Sequence, residues 1–375
     1  MPQEKLGELL ENEQPASYVN LSVSLDPPIE LPTENEQAYY PGREDQGLLE
    51  EGTRWVNAMR LKVMKKFKNP RIMIFGENTA GRSVYIPRFL YPLAPPRNSF
   101  IDIESDYAIE NCARFVAMCP FVEDLRMFSD LPDLFTTCQQ FFDLGGGDYE
   151  EHAILLANYF NYVDNQKQQA YEAQGVLKGR HEFRSFIVLG EAMPEGHTVY
   201  VLRKQVLKPP LKETPADRSG SIELWAPCTG ECYFYEEKKA ESRLFAPEQY
   251  HLQVNRPTDP MCPLKKIHTV ISSDNVYVNI QPSDFPVLMT FDFHNPKKWA
   301  AFVDGKSRKG ETFFPLTGGK PTTVQELDLK YAPVNVNPNT AVLENRIQKY
   351  LVEMFQQERI KTVKKLTKWT ITQNH

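Results

Sequence analysis

The sequence predicts an α+β fold in which one long helix packs on an antiparallel sheet. Within YEEHAILLANYF, the residues Ala153, Leu156, Ala157 and Phe160 recur at helical spacing, which is typical of a core helix. Strand-like runs then follow one another across turns rather than across helices, and this order favours antiparallel pairing. The chain has 375 residues, of which 41% are hydrophobic, so it can bury a core of this kind.

The other elements follow from local patterns. Apolar residues at intervals of four, from Trp55 to Phe67, predict an amphipathic helix on a basic background. Asp148 and Glu151 have the side chains of a capping box, which predicts the start of the core helix. Further predicted elements are strands 72–75 and 84–87, helices 107–118 and 133–142, strands 186–189, 199–202, 222–225, 232–235, 267–271 and 276–280, loops 208–221 and 236–263, and a helix over 340–368.

Charge divides the chain. Residues 1–52 hold twelve acids against Lys5 and Arg43, a balance of about −10 in a protein whose net charge is −6. Acidity with few aromatic residues is typical of disorder. We therefore predict a mostly disordered acidic arm (1–53), an N-terminal subdomain (54–128), a core domain (129–305) and a linker with a basic C-terminal helix (306–375).

Composition argues against several classes of protein. The basic stretches 54–71 and 359–368 have no aromatic stacking platform or recognition motif beside them, so nucleic-acid binding is not predicted. No apolar run reaches the roughly 18 residues of a membrane span, and the first residues do not resemble a signal peptide. We expect a cytoplasmic protein without a transmembrane segment, and its six cysteines should be reduced.

Four stretches in order carry a family resemblance: GDYEEHAILLANYF, VLGEAMPEGHTVYVL, ELWAPCTGECYFY and CPLKKIHTVISSDNVYVNIQPSD. They resemble the transglutaminase-like, papain-fold region of the coiled-coil and C2-domain-containing ciliary transition-zone proteins. The resemblance covers about residues 130–300. It implies a transglutaminase-like core, a location at the cytoskeleton and cilium (transition zone, basal body or axoneme), and ciliary or cytoskeletal partners, microtubules among them.

Active relatives need a thiolate at a helix N-terminus, a histidine that shares its proton and an acid that orients the histidine. Matching the family's helical alanine to Ala153 puts Tyr149 at the nucleophile position. The family's His-Ala-Trp-Val pattern reads Thr-Val-Tyr-Val here, with Thr198 at the histidine position, and Ala226 stands where the acid precedes the turn. The resemblance therefore implies a pseudoenzyme without catalytic residues or cofactor, which acts as a structural or interaction protein.

An active cysteine peptidase or transglutaminase with a displaced triad is the alternative. It would use Cys138 with His197 or His152. Neighbouring strand residues face opposite sides, so we expect His197 to point away from the nucleophile position if Thr198 points towards it. Cys138 lies in the apolar run TTCQQFF, which favours a buried thiol.

A zinc site is not predicted. Cys228, Cys232 and Cys262, with His251 or His268, contain a single C-x3-C pair and lack the paired spacing of structural zinc sites. We therefore predict no metal site.

Two candidate binding surfaces remain. A relict groove would be lined by Tyr149 and Trp225, and the basic tail offers cations to an acidic partner. The tail's candidate residues are Lys361, Lys364, Lys365 and Lys368.

Overall fold

The computed structural model describes residues 42–96, 101–124, 133–173, 183–205, 221–239, 250–254, 261–304, 312–314, 317–331 and 338–362. The helices in these ranges are α1 (Gln46–Val63), α2 (Ala108–Ala117), α3 (Cys138–Leu144), α4 (Tyr149–Ala173) and α5 (Pro338–Thr362). The strands are β1 (Phe75–Glu77), β2 (Ser83–Tyr85), β3 (Phe183–Ala192), β4 (Gly196–Gln205), β5 (Ser221–Ala226), β6 (Glu231–Lys239), β7 (Tyr250–Val254), β8 (Leu264–Ile271), β9 (Val276–Asn279) and β10 (Trp299–Ala301). No described helix is long and apolar enough to cross a bilayer.

The main sheet has the described strand order β10-β9-β8-β3-β4-β5-β6-β7, and each neighbouring pair is antiparallel. β1 and β2 form a separate antiparallel pair. This arrangement confirms the predicted α+β class. β7 is a difference, since it lies inside 236–263, which we predicted as loop; its sequence YHLQV mixes polar with apolar residues, and it pairs with β6 alone at the sheet edge.

The helix α4 covers one face of the sheet. Ala153, Leu156, Ala157 and Phe160 are all fully buried, as predicted for a core helix. Side chains of β3, β4 and β5 pack on α4 from one face of the sheet, and a second apolar cluster fills the opposite face. The residues on the α4 side are Ile187, Leu189, Val199, Val201 and Trp225, and those on the far side include Phe186, Val188, Tyr200, Leu202, Leu224 and Ala226.

A buried ionic cluster fixes the middle of α4 on the sheet. Arg203 of β4 donates to both carboxylate oxygens of Asp164 on α4, at 2.9 and 2.6 Å. Its remaining terminal nitrogen donates to Glu223 of β5 at 2.9 Å, and the guanidinium lies 3.9 Å from the ring centroid of Phe183. Since all donors point at carboxylates, the charge of Arg203 is compensated inside the fold.

The helix α1 starts earlier than predicted. It begins at Gln46, where Asp45 caps it by accepting from the amide of Leu48 at 3.0 Å. The boundary drawn at residue 53 therefore falls inside a helix whose Leu48 is fully buried. Acidic composition predicted disorder here, but Asp45 caps the helix and Glu44 pairs with the buried Arg88. Residues 1–41 of the predicted arm lie outside the described ranges.

The apolar stripe of α1 packs on the body of the protein. The Trp55 ring meets Phe302 edge-on at 5.4 Å between centroids. Val63, the last residue of α1, and Phe67, four residues later, join a small buried cluster with Val278 of β9. The apolar side of α1 therefore packs within the protein, and its basic face is left for a partner.

Candidate functional site

The candidate site lies at the N-terminus of α4. Tyr149, the first residue of the helix, is half-buried, and its ring centroid is 4.9 Å from that of the partly exposed Phe121. The carboxylate of Glu151 accepts from the amide of Asp148 at 3.1 Å, which is half of the predicted capping box. The carboxylate of Asp148 accepts instead from the amide of Glu150, at 3.1 Å.

Carboxyl groups crowd this helix end. Glu150 is buried and paired with the guanidinium of Arg71. Arg71 lowers the pKa of Glu150, although burial acts in the opposite direction. Burial raises the pKa of Asp148 and Glu151, and the neighbouring carboxylates raise both further. Burial also raises the pKa of Asp124 to about 6. Among the described residues, this helix end therefore has four carboxyl groups and Arg71 as the arginine paired with one of them.

Sequence reasoning missed the acidic character of the site. The run Asp148–Glu151 contains three acids in four residues, but we read it only as a capping signal. Asp124 gave no signal, since it lies 24 positions before Asp148 in the chain. Arg71 ends the basic stretch 54–71, a pattern that favours a solvent-exposed cation over a buried one.

The thiol near Tyr149 belongs to Cys228, in the turn after β5. Burial raises the pKa of Cys228, and the charges of Asp148, Glu150 and Glu151 raise it further. Burial raises the pKa of Tyr149 too, with contributions from Cys228 and Glu195. A catalytic cysteine needs the opposite surroundings, with positive charge that stabilises its thiolate.

The sheet places the three predicted triad positions on different sides of the fold. Ala226 belongs to the apolar cluster on the far side of the sheet, away from α4. Residues two positions apart on a strand share a face, so Thr198 lies on the same face as Tyr200 and Leu202 of that cluster. It therefore also faces away from α4. His197 lies on the α4 side by the same alternation, where it is exposed and opposite Glu191. The sheet faces therefore place His197, and neither Thr198 nor Ala226, on the side of α4.

Two residues of the displaced-triad alternative, Cys138 and His152, occupy core positions. Cys138 is buried as predicted, and burial raises the pKa of its thiol to about 12. Its sulfur accepts from the side-chain amide of Asn158 at 3.4 Å. The ring nitrogens of His152 lie 2.6 Å from the carbonyl oxygen of Asp148 and 3.2 Å from that of Cys119, and burial lowers the pKa of His152. Both side chains are buried, and the ring nitrogens of His152 face backbone carbonyl oxygens.

The predicted binding residues are divided by the structure. Trp225 is buried, donates from its indole to Glu223 at 3.0 Å and meets Phe160 edge-on, so it does not line a groove. An indole on the α4 face of β5 is covered by the helix. Lys361 lies in α5, but its side chain is outside the described set, as are Lys364, Lys365 and Lys368 altogether.

One group of described side chains has the spacing of a metal site: Asp124, Asp148 and Glu151, whose candidate ligand oxygens all lie within 4.8 Å of one another. Cys228, Cys232, Cys262 and His268 do not form such a group among the described residues. The side chain of His251 lies outside them.

Two comparisons with known proteins agree with this architecture. Residues 133–302 match the profile of the CEP76 peptidase-like domain. The human Protein CC2D2B is 27% identical over 248 residues, which are 64% of this chain. The chain spans only 14% of the length of that relative. The matched region runs from α3 to β10, so the helix-and-sheet core of this chain is similar to the CEP76 peptidase-like domain.

Proposed function

We propose that this chain is a non-catalytic structural or interaction protein of the cilium, built on an inactive peptidase-like domain. The observation that carries the proposal is the N-terminus of α4, where Tyr149 begins the helix among three adjacent carboxyl groups. A tyrosine has an ordinary pKa of about 10 and does not replace a thiolate in acyl transfer. The carboxyl groups also oppose ionisation of the Cys228 thiol.

The expected loss of activity is large. Removal of the nucleophile alone lowers turnover about as much as removal of a complete triad, by roughly a millionfold, which corresponds to about 8 kcal/mol of activation barrier. The only imidazole that we place on the α4 face of β4, His197, is exposed and lies opposite Glu191 in the sheet. A base without an ionisable thiol beside it does not restore the reaction.

A surface for partners is supplied by α5. Five large apolar side chains recur on this helix at spacings of three and four and are between 39% and 67% exposed. A contiguous apolar stripe of this kind marks an interaction surface in soluble proteins. The residues of this α5 stripe are Ile347, Tyr350, Leu351, Met354 and Phe355.

The location rests on sequence likeness. The resemblance to ciliary transition-zone proteins and the similarity to CC2D2B support a cytoskeletal role at the transition zone, basal body or axoneme. The proposed partners are ciliary or cytoskeletal proteins, with microtubules as one acidic surface that the basic tail suits. A tagged copy expressed in a ciliated cell should concentrate at one of these three places. An even distribution through the cytosol would contradict the proposed location.

Inactivity has its own test. The purified protein should neither incorporate amines into generic glutamine substrates nor cleave generic peptides above the uncatalysed rate. A preparation whose activity is lost on Cys138→Ala would contradict the proposal and establish the displaced-triad enzyme. Activity that persists unchanged in Cys138→Ala would exclude Cys138 as its nucleophile and would still contradict the proposed inactivity.

A further inference from the structure

Three carboxyl groups converge beside the N-terminus of α4. Asp124 is 2% exposed and Glu151 is 3% exposed, whereas Asp148 is half-buried. Each can present an oxygen within 4.8 Å of the other two. The groups come from two separate parts of the chain, so the fold rather than the local sequence brings them together.

Hydrogen bonds orient these carboxylates and leave one oxygen of each buried group unused. Asp124 accepts from the amide of Leu134 with Oδ2 at 2.6 Å, and its Oδ1 has no hydrogen-bond partner among the described residues. Glu151 accepts from the amide of Asp148 with Oε2 at 3.1 Å, and within the same described residues its Oε1 is also unpartnered. Buried polar oxygens are normally partnered, so two unpartnered oxygens in one cluster can accept a further ligand.

The charge balance indicates the sign of that ligand. Arg71 already neutralises Glu150. The N-terminus of α4 supplies a positive partial charge of roughly half a unit. Asp124, Asp148 and Glu151 then carry close to three negative charges against that half unit when they are ionised. A ligand with two positive charges would nearly compensate them.

We propose that Asp124, Asp148 and Glu151 bind a divalent cation that prefers oxygen ligands, with Ca²⁺ as the best fit. Ca²⁺ accepts flexible cages of protein carboxylates, whereas Mg²⁺ demands near-ideal octahedral geometry and usually keeps several of its waters. A ligand set of carboxylates alone favours Ca²⁺, Mg²⁺ or Mn²⁺ over zinc. The partial exposure of Asp148 leaves access for the ion and for water ligands. The ion would tie the start of α4 to the segment that carries Asp124.

Thermal unfolding of the full chain tests the proposal. Samples in EDTA are compared with samples in CaCl₂, MgCl₂ or MnCl₂ up to about 5 mM, at pH 7.5 and matched ionic strength, because binding to the folded state raises the melting temperature. We expect a saturable increase, at lower concentrations of Ca²⁺ than of Mg²⁺. The same melting temperature in EDTA and in all three salts would overturn the proposal and leave protons as the neutralising species.

Variants separate ligation from attraction by the surrounding negative field. Asp124→Asn and Glu151→Gln should each weaken Ca²⁺ binding by at least about tenfold in calorimetric titration. Asp133→Asn removes a neighbouring carboxylate whose side chain is 51% exposed and lies 3.4 Å from Arg71, so it should change affinity less than about threefold. An equal loss in all three variants would overturn direct ligation.

Direct counting of ions covers the case in which a ligand variant does not fold. Electron paramagnetic resonance of Mn²⁺ added to the wild-type chain reports free ions, so the bound fraction is obtained by difference. We expect one Mn²⁺ per chain, displaced by excess Ca²⁺. No bound Mn²⁺, or binding that Ca²⁺ does not displace, would overturn the proposal.

Discussion

Arg88 donates two hydrogen bonds to the carboxylate of Glu44, one from Nε at 2.7 Å and one from a terminal nitrogen at 3.0 Å. Both residues are buried. The amide of Tyr85 donates to the same carboxylate at 2.8 Å, and Arg88 also donates to the carbonyl oxygen of Thr322 at 3.1 Å. Three separate parts of the chain are therefore held together at one ion pair.

Glu44→Ala should lower the free energy of unfolding by about 3–5 kcal/mol, because it leaves the buried guanidinium of Arg88 without its counter-ion. Chemical denaturation measures the change. The control is Glu50→Ala on α1, whose exposed carboxylate accepts from the neighbouring Gln46 alone among the described residues and should change stability by less than about 0.5 kcal/mol. Equal effects of the two substitutions would show that the ion pair does not anchor this segment.

Periodicity was sufficient where a large number of residues shared one environment. The core helix α4 and six of the strands in the main sheet were predicted because each presents a repeated apolar pattern over several residues. The start of α1 was not predicted. Composition gives the charge of a segment, but it does not show whether an acid in that segment pairs with a buried arginine. Glu44 has the same chemistry as the exposed Glu50, and only the fold distinguishes them.

The candidate site was harder to predict than the fold. Which of two adjacent strand residues faces α4 depends on the register of the strand. A shift of one residue in that register would exchange the faces of His197 and Thr198. The carboxyl cluster depends on contacts between Asp124 and the distant helix start. A single sequence holds no periodic signal for either relationship.

Tyr149→Cys should not convert the protein into an enzyme. The new thiol would stand beside Asp148 and near Cys228, in a negative environment that raises thiol pKa values. We expect alkylation by iodoacetamide at pH 7 to be at least about tenfold slower than for a free cysteine, with no amine incorporation. Fast alkylation together with new activity would show that tyrosine alone had silenced the site.

His268 should make the folded protein sensitive to acid. Burial lowers its pKa from 6.5 to about 4, while Asp284 and Glu191 act in the opposite direction and Lys266 and His197 add to the lowering. The folded state therefore holds the imidazole neutral, so its stability is complete above pH 6.5 and declines as the pH falls towards 4. The shift corresponds to about 3 kcal/mol.

The measurement is the free energy of unfolding between pH 4 and 7.5, in wild type and in His268→Asn. The Asn oxygen can still accept from the amide of Arg71, which donates to Nδ1 at 3.2 Å in the wild type. The variant should lose less stability than wild type over this range. Parallel pH profiles would exclude His268 as the source of the acid sensitivity.

The α5 stripe should bind a partner without supporting the fold. Tyr350→Ser and Phe355→Ser alter side chains that are 67% and 66% exposed, so the melting temperature should change by less than about 1 °C. Their ciliary localisation should decrease. The control is Leu61→Ser on α1, which is 70% exposed and lies outside the stripe. A large loss of stability in the α5 variants would mean that the stripe packs within the protein.

The basic tail gives the last prediction. Replacing Lys361, Lys364, Lys365 and Lys368 with glutamate changes the charge of the tail by about −8 units, which should repel an acidic surface such as a microtubule. Co-sedimentation with microtubules and ciliary localisation should both be lost, while the melting temperature stays nearly constant. Substitution of the same four lysines by glutamine should give an intermediate loss that added salt mimics in the wild type, because screening weakens charge attraction. Wild-type localisation of the glutamate variant would exclude the tail as the anchor and leave the α5 stripe as the remaining candidate surface.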